Sequence, residues 1–374
     1  MILNSLSLKN FRNFAKKEIV FSEKSNLIVG PNASGKTNIL EAIYLLATGK
    51  SFRVKSTESE AISYGEEIAR VLGKIEGPAF AKATAGKQEG QGEQEELEII
   101  LTTGEVSGEK VAKKKYLVNG VAKRAFDFVG NLKAVYFGPE DLELITDSPS
   151  LRRKYLDSVL SQTDKEYARA SLSYEKGLRS RNRLLEEMRE SGIVDRRRLY
   201  FWDQLLIKNG NIITKIRQEY LDFLNSRGEF EGVGKFEVEY NRSTISAERL
   251  NQYSQEEIFA GVTLVGPHRD DFFIRIMNYE SRIMGGEARN LSVFGSRGEQ
   301  RLAILWLKLG EMAFIKEKTK SFPVLLLDDI FSELDVGHRQ LVLQVIDDQQ
   351  TIITSTDLGR VEESWLGKIK IIEL

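Results

Sequence analysis

The sequence predicts an α/β fold, a mixed sheet flanked by helices and interrupted by an inserted α-helical arm, and three stretches carry that prediction. The apolar run Leu27-Ile28-Val29 breaks at Gly30, and from Thr37 to Thr48 the apolar residues Ile39, Leu40, Ile43 and Leu46 recur at helical spacing. Far along the chain, Phe322-Pro323-Val324-Leu325-Leu326-Leu327 reads as a strand covered on both faces, and it stops at Asp328-Asp329. Between the two, no proline occurs from Ser150 to Ser226, while Tyr155, Leu156, Val159 and Leu160, then Leu199, Trp202, Leu205 and Leu206, keep a helical period. The expected parts are therefore 1–148, the first portion of a head; 149–230, a helical arm; and 231–374, the second portion of the head.

The remaining elements follow in order. Ile2, Leu6 and Leu8, then Ile19, Val20 and Phe21, read as two strands, and further strands are expected at Leu97–Leu101, Lys115–Val118, Ala134–Phe137 and Phe236–Tyr240. Val118-Asn119-Gly120-Val121 is a hairpin signal, because Asn-Gly tolerates the positive φ angles of a type I′ turn. From Glu76 to Glu96 the composition shifts to Gly, Ala, Lys, Gln and Glu; too little apolar surface exists there to offset ordering entropy, which predicts a mobile surface insertion.

Composition excludes several classes. The 374 residues contain no Cys, so disulfides and thiolate metal sites are impossible, and two His (His268 and His338) leave little scope for a zinc cluster. Met1-Ile2-Leu3-Asn4-Ser5 lacks a basic region followed by an apolar run, and no apolar stretch approaches the ~20 residues that span a bilayer; a cytoplasmic address and no membrane partner are expected. A formal net charge of -1 argues neither for nor against nucleic acid. Leu151 to Tyr200, however, carries thirteen Lys and Arg against eight Asp and Glu, a local positive excess.

Gly30-Pro31-Asn32-Ala33-Ser34-Gly35-Lys36-Thr37 fits the phosphate-loop pattern G-x-x-x-x-G-K-[ST] at every fixed position. Small residues let backbone N–H groups wrap a β-phosphate, and the following helix adds its partial positive end. Lys36 would neutralise charge on the β- and γ-phosphates of ATP, and Thr37 would offer an oxygen to Mg²⁺. Asp328, at the end of the later strand, is the second expected Mg²⁺ ligand, through a water, and Asp329 would orient the attacking water. Ser296-Arg297-Gly298-Glu299-Gln300 opens a helical run 32 residues before Asp328 and resembles the signature turn of ABC (ATP-binding cassette) ATPases. In that class the serine and glycine touch the γ-phosphate of ATP held by the opposite subunit, so Ser296 and Gly298 are expected to complete a second copy's site, Ser296 with a catalytic part beside Lys36 and Asp329. Ser332-Glu333-Leu334-Asp335 looks like the loop that crosses such a dimer interface. The fold class thus sharpens to a P-loop ABC-type ATPase head.

Longer phrases narrow the resemblance. Leu8-Lys9-Asn10-Phe11-Arg12-Asn13-Phe14, Gly49-Lys50-Ser51-Phe52-Arg53, Pro139-Glu140-Asp141-Leu142, Ser148-Pro149-Ser150-Leu151-Arg152-Arg153 and Gly266-Pro267-His268-Arg269-Asp270-Asp271 are similar to phrases of the RecF family. That resemblance implies an ATP-dependent homodimer that binds DNA in recombinational repair and replication restart, weak ATP hydrolysis used as a switch, and partnership with RecR and RecO in loading RecA. Slow turnover is also expected because Asp329 is a methylene shorter than the Glu of fast ABC enzymes. Two departures stand out: Glu299 sits where the family has Gln, placing a carboxylate near the partner's phosphates, and the Glu76–Glu96 insertion is unusual. The arm arginines Arg179, Arg181, Arg183, Arg196, Arg197 and Arg198 are the residues expected to meet DNA, whereas Arg152 and Arg153 are expected to support the core and His268 to be structural. Asp270 or Asp271 is left open as lining the nucleotide or interface region. The alternative is the energy-coupling ATPase subunit of a membrane transporter, which would carry a His at the end of the strand Thr351–Thr356; this chain has hydroxyls there, Thr354 and Thr356.

Overall fold

A computed structural model describes residues 1–53, 57–77, 94–227, 229–230, 234–276, 289–330, 348–357, 367 and 369–374. The chain forms two compact units, Met1–Glu140 with Glu311–Leu374, and Asp141–Gly310. The second unit therefore extends well past the helical stretch 149–230 and takes in the Ser296 turn.

In the first unit, five strands form an all-parallel sheet: β1 (Ser25–Val29), β2 (Ala134–Phe137), β3 (Val324–Asp328), β4 (Thr351–Ser355) and β5 (Lys370–Glu373), in the order β2-β3-β4-β1-β5. Such a sheet must be covered on its faces, because parallel strands need crossovers that lie over them. Helix α1 (Lys36–Thr48) is buried nearly all round, which explains why its sequence is apolar beyond a single stripe. Its Ile39, Leu40, Ile43 and Leu46 belong to one core with Ile28, Val324, Leu326 and Ile352 of the parallel sheet. The same core takes in Leu3, Leu6, Leu8, Val71, Leu97 and Ile99 of a second sheet of six antiparallel strands, running from Phe14–Val20 through Ile2–Phe11, Ile68–Glu76, Gln94–Thr102 and Lys114–Val118 to Val121–Lys123. The expected hairpin is present: Val118 pairs with Val121, and Asn119 and Gly120 take φ of 51° and 75°. The insertion of Glu76–Glu96 lies, apart from its edges, outside the described residues, as do the interface-loop residues Ser332–Asp335 and His338.

The second unit is built on α2 (Pro149–Thr163), α3 (Lys165–Ser191) and α4 (Tyr200–Arg227), with a four-stranded sheet that includes Gly234–Asn241 paired antiparallel with Asp271–Ile276. Asp164 caps α3 by accepting from the Glu166 and Tyr167 N–H groups, and Gly192, in the left-handed region, ends it. Among the described residues no helix is long and apolar enough to cross a membrane.

The Pro-His-Arg-Asp-Asp phrase lies inside this unit as a buried polar knot, so Asp270 and Asp271 line no nucleotide site. Arg152 grips Asp271 with two bonds, 2.6 and 3.0 Å. Arg217 donates to Asp270 at 2.9 Å, to Asp157 at 2.9 Å and to the Pro267 carbonyl at 2.8 Å. Asp270 also accepts from the Ser243 N–H at 2.7 Å and from the Tyr240 hydroxyl, and its carbonyl accepts from Arg153. Each buried charge is thus met by several partners, the condition under which burial is tolerated.

His268 sits between the Tyr174 hydroxyl at 2.8 Å and the Thr263 carbonyl at 3.0 Å, confirming its structural reading. Burial first, and the neighbouring arginines after it, push its pKa down to about 4. The free imidazole value is about 6.5, so the unfolded chain takes up the extra proton and stability falls as pH drops from about 6.5 towards 4. His268→Gln is expected to flatten that part of the profile when urea midpoints are compared across the window. A slope identical to wild type would remove His268 as its source.

Candidate nucleotide-binding site

The phosphate loop springs from the end of β1. Ala33 and Gly35 take positive φ, 66° and 106°, and Ser34 between them does not, so successive backbone N–H groups turn towards one side. Only Gly fits at 35, since a Cβ there would lie 2.5 Å from Phe14 Cζ. Ala33 holds a conformation that favours Gly, a local strain of the sort that persists where function requires it. Lys36 folds back over the loop, its Nζ donating to the Gly30 carbonyl at 2.6 Å and the Pro31 carbonyl at 2.8 Å.

Two observations fit a triphosphate here. The Ser34 hydroxyl is buried without a hydrogen-bond partner, although burying an unpaired hydroxyl is costly. Helix α1 has no side-chain cap and no acid in its first turn, leaving its positive end open to an anion. Mg²⁺ fits as well: Thr37 Oγ1 donates to Asp328 Oδ1 at 3.1 Å, which leaves a hydroxyl lone pair for the ion and sets the carboxylate behind it, where it could hold a metal-bound water. No cluster of three or more His, Cys, Asp or Glu occurs among the described residues, so such an ion would take its other ligands from phosphate and water, as Mg²⁺ commonly does.

Around Asp328 the sheet assembles groups that sequence reading had not linked. Register sets Asp328 beside Thr354, and Thr354 beside Ile28 of the strand that feeds the loop. The Thr354 hydroxyl donates to Asp328 Oδ1 at 2.6 Å and accepts from the Asp329 N–H at 3.0 Å. Tyr136 donates to Asp328 Oδ2 at 3.3 Å and to Glu140 Oε2 at 2.8 Å. Burial, the largest influence, raises the Asp328 pKa, with the charge of Glu140 adding to it and the Thr354, Thr37 and Tyr136 bonds opposing it. Asp329 follows in the left-handed region, φ 47°. Thr354 stands where the transporter alternative requires a His.

Two family phrases with no assigned task brace the loop from behind. Arg12 makes two bonds to the fully buried Glu41 of α1, at 2.6 and 2.9 Å, and Ser51 donates to the same carboxylate. Asn13 donates to the Ser34 carbonyl at 3.1 Å, while Asn38 bridges Asn13 and Arg53. A signal for this existed in the sequence, an acid inside an otherwise apolar helix, which burial permits only with cationic partners.

In the second unit, Ser296 and Glu299 form a capping box at the start of α5 (Arg297–Thr319). The Ser296 N–H donates to Glu299 Oε2 at 2.8 Å, and the Glu299 N–H donates to the Ser296 hydroxyl at 3.3 Å. Glu299 therefore has a local task that its charge alone did not suggest, and the Ser296 N–H bond, ahead of Arg289, holds its carboxyl below the usual range. Among the described residues, its own helix backbone and chain neighbours aside, nothing lies within 4 Å of where a Gly298 Cβ would sit.

A family model described as "RecF/RecN/SMC N terminal domain" matches residues 2–368. The "DNA replication and repair protein RecF" of Bacillus cereus (strain AH820) is 33% identical, over all of this chain and 97% of that protein. The chain belongs to the RecF family. The RecF protein of Bacillus thuringiensis (strain Al Hakam) matches at the same 33% identity and coverage. A solved "Structure of the recombination mediator protein RecF-ATP in RecFOR pathway" superposes with TM-score 0.81 at 34% identity, covering 96% of this chain and 93% of that one. An Smc head domain from Pyrococcus furiosus, at TM-score 0.51 and 18% identity, shares the fold, as an ABC-type head in the RecF family should. Of the residues expected at the site, Gly30 to Thr37, Asp328 and Asp329 come together in one unit, and Ser296 and Gly298 form a separate turn in the other.

Proposed function

We propose that this chain is an ATP-dependent DNA clamp of the RecF type in recombinational repair and replication restart, a weak ATPase whose hydrolysis is a switch. The observation that carries the reading is the phosphate loop, with its unpartnered Ser34 hydroxyl and open helix end, set beside the Thr37–Asp328 oxygen pair. Gly30 to Lys36 bind the triphosphate; Thr37 and Asp328 would hold Mg²⁺, which neutralises phosphate charge when bound. Thr354 fixes the Asp328 carboxylate and the Asp329 backbone, so that Asp329 can position and accept a proton from the attacking water.

Ser296 and Gly298 of a second copy close over the γ-phosphate. Support for an outside occupant comes from Gly298, beside whose Cβ position none of the described residues outside its own helix lies within 4 Å. Val293 and Phe294, exposed just before Ser296, suit burial in such a dimer. In this scheme 1–148 and 231–374 serve the nucleotide cycle and 149–230 is the arm; RecR, with RecO, is the protein partner, and the cytoplasm is the working compartment. The test is molecular mass and DNA binding with ATP, with ADP and with neither. Dimers and tight DNA binding with ATP alone are expected, and a monomer indifferent to nucleotide would refute the proposal. Asp329→Asn is expected to dimerise with ATP but leave DNA several-fold more slowly than wild type; an unchanged dissociation rate would exclude Asp329 from the water-positioning role.

A further inference from the structure

Three hydroxyls hold the Asp328 carboxylate, and they divide unevenly between its oxygens. Thr37 and Thr354 both donate to Oδ1, at 3.1 and 2.6 Å. Among the described residues Oδ2 has Tyr136 alone, at 3.3 Å, and that same hydroxyl lies closer to Glu140 Oε2, at 2.8 Å. A phenol has one proton to donate, so two carboxylates compete for it. The shorter bond goes to Glu140, which is exposed, and the longer to Asp328, which is buried. The ring itself is built into place. Tyr136, 4% exposed on β2, stacks on Phe52 with centroids 3.9 Å apart at 19°, and Tyr44 meets it edge-on at 6.2 Å. It turns back over Gly138, where a Cβ would lie 2.1 Å from the hydroxyl oxygen and 2.5 Å from Cζ. A side chain at 138 would therefore evict the hydroxyl from both carboxylates.

We infer that Tyr136 is a positioning residue for the Asp328 carboxylate, and that Glu140 tunes the site by competing for the Tyr136 hydroxyl. The inference rests on the reading of Thr37 and Asp328 as the residues that would hold Mg²⁺. Two bonds on Oδ1 leave the carboxylate free to rotate its other oxygen; a bond on Oδ2 fixes its plane. Groups that orient a metal-holding carboxylate in this way contribute strongly to metal affinity. Packing fixes the ring, but rotation about the C–O bond redirects the proton, so the choice of acceptor depends on which carboxylate attracts it more. Glu140 draws it outward, and a cation that met this exposed side chain would release it to Asp328. The strength of metal binding inside the site is thereby linked to the charge of a residue at its surface.

The test is the ratio of ATP affinity in Mg²⁺ to that in EDTA, measured by calorimetry on the full chain, so that effects common to both conditions cancel. Tyr136→Phe keeps the ring and its stack and is expected to lower the ratio about 10-fold. Gly138→Ala keeps the hydroxyl but denies it its place, and should lower the ratio as well. Glu140→Gln imitates neutralisation of the competitor and is expected to raise the ratio about 3-fold. Combined with Tyr136→Phe it should change nothing further, since both act through one hydroxyl. Thermal melts without nucleotide report on folding. A wild-type ratio in Tyr136→Phe, or in a folded Gly138→Ala protein, would overturn the inference. So would a Glu140→Gln effect of the same size with and without Tyr136→Phe. Glu140→Gln decides the matter by itself if Tyr136→Phe is unstable, because a fall in its ratio contradicts competition. If wild-type affinity ignores Mg²⁺, the reading of Thr37 and Asp328 fails and this inference with it; a wild-type response that Tyr136→Phe leaves intact sinks this inference alone.

Discussion

Lys36→Ala protein is expected to fold normally and to lose about 100-fold in ATP affinity. Lys36 is itself buried and donates to its own loop, to the Gly30 carbonyl in a buried bond and to the Pro31 carbonyl in a part-buried one. Its removal gives up these two charge-assisted bonds within the loop, a stability cost distinct from the loss of ATP affinity. Towards a triphosphate it is the loop's cation, and hydrogen bonds between charged groups contribute up to about 3 kcal/mol each, close to a hundredfold in binding. Calorimetric titration with ATP, beside thermal melts without it, separates the two effects. ATP affinity within a few-fold of wild type, or survival of an ATP-induced rise in mass, would disprove the assignment of this loop.

The second large effect belongs to stability. Arg217→Met should cost about 3–5 kcal/mol, because it strands Asp270, which is fully buried, without its main cation. Asp157 would lose the same partner. Adding Asp270→Asn should recover part of the loss, since the remaining group would then be neutral and able to keep its bonds to Ser243 and Tyr240. Urea unfolding of the two single variants and the double supplies the measurement. A cost under about 1 kcal/mol for Arg217→Met would mean that the knot around Pro267–Asp271 does not support the second unit.

Together these variants divide the chain's charged phrases into those that face ligand and those that face the protein itself. Charge counting over Leu151–Tyr200 could not make that division. Arg152 and Arg181 are both buried and paired with acids more than seventy positions away, and each had the same one-letter appearance as the exposed Arg183. The expectation that Arg152 supports the core held; the expectation that Arg181 meets DNA did not. Glu299 is a parallel case. As an isolated departure it suggested repulsion at a phosphate site, while the helix start turns it into the far half of a capping box.

What the residues alone determined were features closed within a few positions of one another. The phosphate loop, its preceding strand and following helix occupy one continuous segment, and the constraints on backbone φ and small side chains are written at fixed spacing. The Asn119-Gly120 hairpin and the apolar run ending at Asp328 are local in the same way, as is the strand at Ala134–Phe137. Only the tertiary structure decided what surrounds those features, because sheet order is not sequence order. Placing Thr351–Ser355 between the Asp328 strand and the phosphate-loop strand puts the Thr354 hydroxyl on both acids, and parallel pairing with Val324–Asp328 brings Tyr136 and Glu140 to the same carboxylate. Such contacts depend on burial and register across hundreds of residues, and no periodicity along the chain encodes which distant hydroxyl a buried carboxylate will meet.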